Sequence, residues 1–289
     1  MERLRILIAG CGYVGTALAA RLAGDGHAVW GLSRRPRALP AQVSPVAADL
    51  RDPGALADLP RGLDAVFYTA SAAGGGEAAY RAAYVLGLGN LLDALERDGT
   101  PRRVFFTSST AVYGQSDGSW VDETSAAEPT GYRGRILLEA EARLRAGPGE
   151  GCVVRFGGIY GPGRARLLER VRAGTATLPS GPEYTNRIHR DDCAGALRHL
   201  LGLGRLEPLY LGVDDEPADR RLVLRWLAER LGVPPPREAP AEPAAGGPAA
   251  SGKRCRNARL RASGYRFRYP TFREGYAPLA DALRGAGAG

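Results

Sequence analysis

Gly10, Gly12 and Gly15 stand in the spacing G-x-G-x-x-G within Gly10-Cys11-Gly12-Tyr13-Val14-Gly15, a pattern that lets a backbone bind phosphate. Gly10 permits a tight turn, Gly12 lets a pyrophosphate approach the main chain, and Gly15 lets the following helix lie close on a strand. The N–H groups and positive end of that helix would hold the phosphates. About 20 residues further on, an acidic side chain would accept ribose hydroxyls, but the chain reads Ser33-Arg34-Arg35. A hydroxyl and two guanidiniums suit a 2′-phosphate, because arginine grips phosphate through paired, charge-assisted hydrogen bonds. The expected ligand is therefore a dinucleotide, with NADP favoured over NAD; a solvated loop is the other reading of Arg34 and Arg35. Asp49-Leu50 follows, where a carboxylate could accept the adenine amino group or cap the turn before Pro53. Thr69-Ala70-Ser71 then opens a run of small residues to Gly76, slender enough to pass close to a cofactor.

The chain has 40 glycines, so the motif gains its meaning from the elements that must hold it. Ile6-Leu7-Ile8 is the apolar run of a buried strand, Val14, Ala17, Leu18 and Leu22 continue at helical period, and His27 to Ser33 supplies a second strand. Further strands are expected at Val43–Ala47, Ala65–Thr69, Arg103–Thr107, Cys152–Phe156 and Leu209–Val213. Helices are expected over Glu77–Arg97, with Tyr80, Tyr84, Leu88, Leu91, Leu92 and Leu95 on one face, and over Asp192–Leu203 and Ala218–Leu231. Strand and helix alternate, which implies an α/β, doubly wound parallel sheet covered on both faces.

Composition bounds the rest. At 289 residues the chain can bury a full core as one large or two unequal domains. No run of about 18 apolar residues suggests a membrane span, and no signal segment is evident, so a cytoplasmic protein without membrane partners is expected. Cys11, Cys152, Cys193 and Cys255 form no C-x-x-C pair, and His27, His189 and His199 show no paired spacing; neither a disulfide framework nor a metal site is expected. The net charge of +8 is almost all arginine, Lys253 being the only lysine. With abundant Ala, Gly and Pro this reads as compositional bias, and no nucleic-acid partner is expected.

Phe105-Phe106-Thr107-Ser108-Ser109-Thr110-Ala111-Val112-Tyr113-Gly114 resembles the active-site strand of the extended short-chain dehydrogenase/reductase superfamily, the NAD(P)-dependent epimerase/dehydratases. Tyr84-Val85-Leu86-Gly87 through Asn90-Leu91-Leu92-Asp93-Ala94 resembles its helix beside the cofactor. Arg155-Phe156-Gly157-Gly158-Ile159-Tyr160-Gly161-Pro162-Gly163-Arg164 resembles its strand and loop at the start of the substrate region, and Asn186 to Asp192 its late strand-to-helix junction. The resemblance implies a Rossmann domain over residues 1–160, also receiving later segments such as 186–213, and a smaller C-terminal α/β substrate lobe over 161–289 with a Pro/Ala-rich loop at 234–252. It implies that Ser109 holds a substrate oxygen, where charge develops during hydride transfer; satisfying the strand end is the alternative. Thr107, Gly158 and Tyr160 join the candidate cofactor contacts, Tyr160 either resting against the nicotinamide or forming a rigid turn.

The family's acid/base is the Tyr of Y-x-x-x-K. Here Tyr132 is followed four residues later by Ile136. Arg135, at i, i+3, is the expected substitute, its charge favouring phenolate. A register slipped by one puts Arg135 on the lysine and Gly131 on the tyrosine, leaving Tyr132 to pack on a loop. The stretch Gly134 to Glu141 resembles the atypical YeeZ-like branch.

In the substrate half, Arg164, Arg166 and Arg170 face either solvent or an anionic substrate such as a nucleotide sugar. His189 reads as a hydrogen-bonded junction, with Asp191 capping the next helix. Lys253 to Arg261 is either a solvated helix or a phosphate-facing edge, and Asn257, Leu260, Tyr265, Tyr269, Phe272 and Tyr276 fold the tail back onto the lobe. The expected activity is NAD(P)-dependent oxidation–reduction or epimerisation of a small-molecule substrate; a cofactor-binding sensor is the alternative, and a homodimer is compatible with either.

Overall fold

The computed structural model describes residues 2–36, 39–147, 149–239 and 250–285. Two units divide the chain: the first holds the residues up to Gly114, Ala126–Arg155 and Cys193–Tyr210, and the second Gln115–Ser125, Phe156–Asp192 and the residues from Leu211 onward. The two units interleave along the chain. Residues 115–125, 156–160, 186–192 and 211–213 belong to the second unit, where Asp117–Val121 pairs with Ser251–Cys255 and Gly158–Tyr160 pairs with Arg187–His189.

The first unit is organised by β1 (Arg5–Ala9), α1 (Tyr13–Gly24), β2 (Ala28–Ser33), β3 (Val43–Ala47), β4 (Ala65–Tyr68) and β5 (Arg103–Ser109). The pairs β3–β2, β2–β1, β1–β4 and β4–β5 are all parallel, and Glu150–Phe156 and Leu209–Gly212 complete a seven-stranded sheet beyond β5. The order reverses at β1 and β4, the switch point at which doubly wound sheets bind ligands. Ile6, Leu7, Ile8 and Ala9 are 0% exposed, so β1 is covered on both faces, as its unbroken apolar run requires.

The helix expected over Glu77–Arg97 is interrupted. Glu77–Arg81 and Gly87–Asp98 are α-helical, but Ala82–Leu86 is a π-helical turn. The buried Tyr68 hydroxyl donates to the Ala83 carbonyl there, and a Cβ on Gly87 would meet the same hydroxyl at 2.6 Å. A side chain inserted into the ladder is a recognised cause of such a turn. Leu88, Leu91, Leu92 and Leu95 are buried as expected, whereas Tyr80 and Tyr84 are only half-buried.

In the second unit a four-stranded sheet orders Ala218–Asp219, Glu183–Thr185, Ser251–Cys255 and Asp117–Val121. Leu168, Val171, Leu178, Val223, Leu224, Leu227, Phe272 and Tyr276 share one apolar core, so the tail does pack back onto this unit. The helix Arg220–Leu231, capped by the Asp219 side chain, buries Val223, Leu224, Leu227 and Leu231 and leaves Leu222 exposed. The run from Lys253 begins as a strand and becomes the short helix Ala258–Ala262. Of the loop 234–252, residues 240–249 lie outside the described residues, as does most of the terminal segment 285–289. Among the described residues no helix is long and apolar enough to cross a membrane.

Candidate active site

The glycine motif forms a turn that only glycine can make. Gly10 has φ +89°, and a Cβ on it would collide with the Ala70 backbone. Gly10 and Cys11 donate their N–H groups to the Leu32 carbonyl at 2.9 and 2.8 Å, tying the turn to β2. Thr69 Oγ1 donates to the Gly10 carbonyl at 2.9 Å and also fills the space where Gly15 lacks a side chain. Gly12 differs: a Cβ there would find only the Gly10 oxygen, at 3.9 Å, with open space beyond. It is the N-cap of α1, no side chain caps the helix, and the first turn carries no acidic residue. These features fit a dinucleotide pyrophosphate, held by main-chain amides at the helix start. Cys11 and Val14 point inward, burial pushing the Cys11 thiol up, so Cys11 contributes backbone alone. Tyr13 is half-buried beside them.

Ser33 ends β2, and Arg34 and Arg35 follow it exposed. Asp49 caps its turn. Its carboxylate accepts the Arg51 N–H at 3.0 Å and Arg51 Nε at 2.9 Å, and these bonds hold its pKa down at about 2, with a further contribution from the Arg34 charge. Leu50 is fixed through its carbonyl by Asn90 Nδ2 at 3.0 Å, a contact from the helix Gly87–Asp98 that the sequence reading did not assign.

Three consecutive hydroxyls at the end of β5 do three different things. Thr107 Oγ1 donates to the Tyr68 carbonyl at 3.1 Å, and Ser108 Oγ donates inward to buried Glu141 at 2.7 Å. Ser109 Oγ accepts the Ala111 N–H at 3.2 Å, which leaves its proton to donate. Beneath them lies a network the sequence reading missed. Glu141 binds Arg155 and Arg145, and Arg155 Nη1 donates to the Tyr113 hydroxyl at 2.8 Å. Gly134 was missed as well. A Cβ there would stand 2.5 Å from the Ala111 carbonyl, so this glycine lets the helix Tyr132–Ala146 abut the turn that follows Ser109. A glycine inside an otherwise good helix was the available signal.

Tyr132 opens that helix, half-buried, with its ring edge-on to Tyr80 at 5.7 Å. The expected role of Arg135 is corrected: its Nη1 donates to the Thr130 carbonyl at 3.0 Å. The guanidinium beside the phenol belongs to Arg133, whose Nε reaches the Tyr132 oxygen at 3.4 Å. Ile136, four residues after Tyr132, is buried in the core.

Gly158 and Tyr160 lie in the second unit. Tyr160 is buried, its ring stacked on Tyr276 at 4.2 Å and edge-on to His189 at 5.4 Å, so the expectation that it rests against nicotinamide is replaced by a core role. His189 is a junction, as expected, but it supplies the cap itself. Its Nδ1 accepts the Asp191 N–H at 3.1 Å, while the Asp191 carboxylate takes Arg190 Nε. Burial lowers the His189 pKa. Asp192 accepts Tyr265 OH at 2.7 Å and the N–H groups of Arg268 and Tyr269.

Residues 6–201 match the model of the NAD dependent epimerase/dehydratase family. The chain belongs to that family. Within the NAD dependent epimerase/dehydratase family it is similar to YeeZ of Escherichia coli strain K12, with 35% identity over 155 residues, 53% of this chain and 54% of YeeZ. The chain thus spans about half the length of that curated relative. It is 33% identical over 254 residues to a dTDP-6-deoxy-L-talose 4-dehydrogenase (NAD(P)(+)) of Kitasatospora kifunensis, covering 79% of each chain. Among solved structures, a Methylobacillus flagellatus protein assigned as an NAD-dependent epimerase/dehydratase superposes with a TM-score of 0.81 at 39% identity, covering 98% of this chain and 100% of the other. These matches carry the Rossmann-type fold and NAD(P)-binding class across from sequence to structure.

Proposed function

We propose that the protein is an NADP-preferring oxidoreductase or epimerase acting at a carbinol or carbonyl carbon of a small-molecule substrate. The observation that carries this reading is the turn at Gly10 and Gly12: one glycine packed so tightly that a side chain cannot enter, the next opening onto free space at an uncapped helix start. Backbone amides there would hold the pyrophosphate, and Arg34 with Arg35 would hold the 2′-phosphate that distinguishes NADP from NAD. When bound, the dinucleotide supplies or accepts hydride.

The chain's own groups do the rest. Ser109 donates its free proton to the substrate oxygen and so stabilises the charge that develops there. Tyr132 gives or takes the proton at that oxygen, with Arg133 beside its hydroxyl where other members carry lysine four residues on. The kinship with a dTDP-sugar dehydrogenase supports sugar-like carbinols as one substrate class.

The test is a titration of purified protein with NADPH and NADH, followed by turnover of a panel of sugar nucleotides and simple carbonyl compounds. Micromolar NADPH binding with turnover is expected, and Tyr132→Phe should lower kcat by about 10²–10⁴-fold, the usual contribution of acid/base catalysis. Tight NADPH binding without turnover of any compound would instead favour a cofactor-sensing role. Absence of binding to either nucleotide would remove the proposal.

A further inference from the structure

Arg133 is an arginine held in place but not neutralised. Its guanidinium lies 5.5 Å from the Tyr80 ring centre and 5.8 Å from that of Tyr132, and its Nε contacts the Tyr132 hydroxyl. Arg81, Arg143 and Arg145 are paired with Glu139, Asp93 and Glu141, whereas exposed Arg133 and Arg135 in the first turn of the helix are not in these ion pairs. Among the described residues no carboxylate pairs with Arg133, and the first turn of its helix carries no acidic side chain. A cation near the positive end of a helix is unfavourable by itself, and an anion bound to this exposed guanidinium, set beside two rings, would offset that charge. The rings continue inward from Tyr80 to Tyr84 at 5.2 Å and from Tyr84 to Phe106 at 6.3 Å, Phe106 lying on the strand that ends in Ser109. The π-helical turn that contains Tyr84 is the kind of irregularity that recurs at functional sites.

We propose that Arg133 is the substrate's anion anchor, and that the substrate is a carbonyl compound bearing a carboxylate on an apolar or aromatic body that lies along Tyr132, Tyr80 and Tyr84. This rests on the hydride-transfer reading above. The planar fork of Arg133 offers a carboxylate two parallel hydrogen bonds, and tyrosine rings offer flat apolar area to the body between anion and carbonyl. Arg133 is a specificity-determining residue in this scheme; Ser109 and Tyr132 keep their places at the reacting oxygen.

The experiment compares 4-formylbenzoate with its methyl ester as NADPH-dependent substrates of the wild type, Arg133→Ala, Arg133→Lys and Tyr80→Leu. The wild type should favour the carboxylate by about tenfold or more in kcat/KM, the scale of a charge-assisted pair. That ratio should fall to near one in Arg133→Ala, and to an intermediate value in Arg133→Lys, whose ammonium cannot make the paired contact. Tyr80→Leu should lower the ratio as well, because the guanidinium loses the ring that holds it. A ratio unchanged between wild type and Arg133→Ala overturns the proposal. Inhibition by dTDP that disappears in Arg133→Ala while the two aldehydes stay equivalent would assign the anion to a nucleotide diphosphate and overturn the carboxylate. If no form of the protein turns over either aldehyde, the hydride reading fails for this chemistry, and calorimetric binding still decides the anchor: carboxylate-selective binding lost in Arg133→Ala supports it, equal binding of acid and ester overturns it.

Discussion

Glu141 and Arg155 form a two-pronged ion pair with both side chains out of solvent: Arg155 Nε donates to one carboxylate oxygen at 2.9 Å and Nη2 to the other at 2.7 Å. Ser108 donates to the same carboxylate, and Tyr113 accepts from the same guanidinium. Removing one charge strands the other, which typically costs about 3–5 kcal/mol. Glu141→Ala should therefore lose stability on that scale in urea denaturation, while Glu141→Leu combined with Arg155→Met should recover most of it. A loss below about 1 kcal/mol in Glu141→Ala would show that the pair is not maintained in solution.

Gly10 and Gly12 should separate folding from binding. Gly10→Ala forces a side chain into the Ala70 backbone at a positive φ, so it should lower the melting temperature markedly and abolish NADPH binding with it. Gly12→Ala meets nothing closer than 3.9 Å, so the melting temperature should stay near wild type while NADPH affinity falls. Equal melting losses in the two variants would contradict the geometry of the turn.

Arg34 is exposed directly after β2. Arg34→Ala should weaken NADPH binding by about tenfold or more, as loss of a charge-assisted phosphate contact does, and leave NADH nearly unchanged. Comparable affinities for both nucleotides in the wild type, unaltered by the substitution, would remove the preference for NADP.

Asp214 is buried, and burial raises its pKa well above the ordinary carboxyl value despite the opposing pull of Arg187. A carboxyl whose pKa is higher folded than unfolded binds its proton more tightly in the native state. Its stabilising share is complete at low pH and is lost as pH climbs above the unfolded value. Asp214→Asn should thus melt higher than wild type at neutral pH, with the gap closing as pH falls toward 4. A gap that is constant with pH would mean that folding does not shift the Asp214 pKa.

Much of the fold was readable because its signals are local. Val43–Ala47 matches the expected strand residue for residue, and the glycine motif sits at the turn its spacing requires. What escaped the sequence depends on contacts between distant residues. Glu141 and Arg155 look like surface charges until Ser108 and Tyr113 are brought to them. Tyr160 in a Gly/Pro-rich loop gives no hint of its stack on Tyr276. At Tyr132 the helical i, i+3 argument pointed to Arg135, but at a helix start a long side chain can turn back to a preceding carbonyl, and Arg135 does so at Thr130. That left the adjacent Arg133 at the phenol.

The π-helical turn at Ala82–Leu86 bears on how this protein should be compared with its kin. A wider coil spends one more residue per turn than its neighbours. Wherever a relative keeps an unbroken α-helix, an ungapped alignment cannot be right on both sides of Tyr84. Tyr80 and Leu88 then correspond to their counterparts under offsets that differ by one, and evolutionary inferences about the tyrosines must place that gap first.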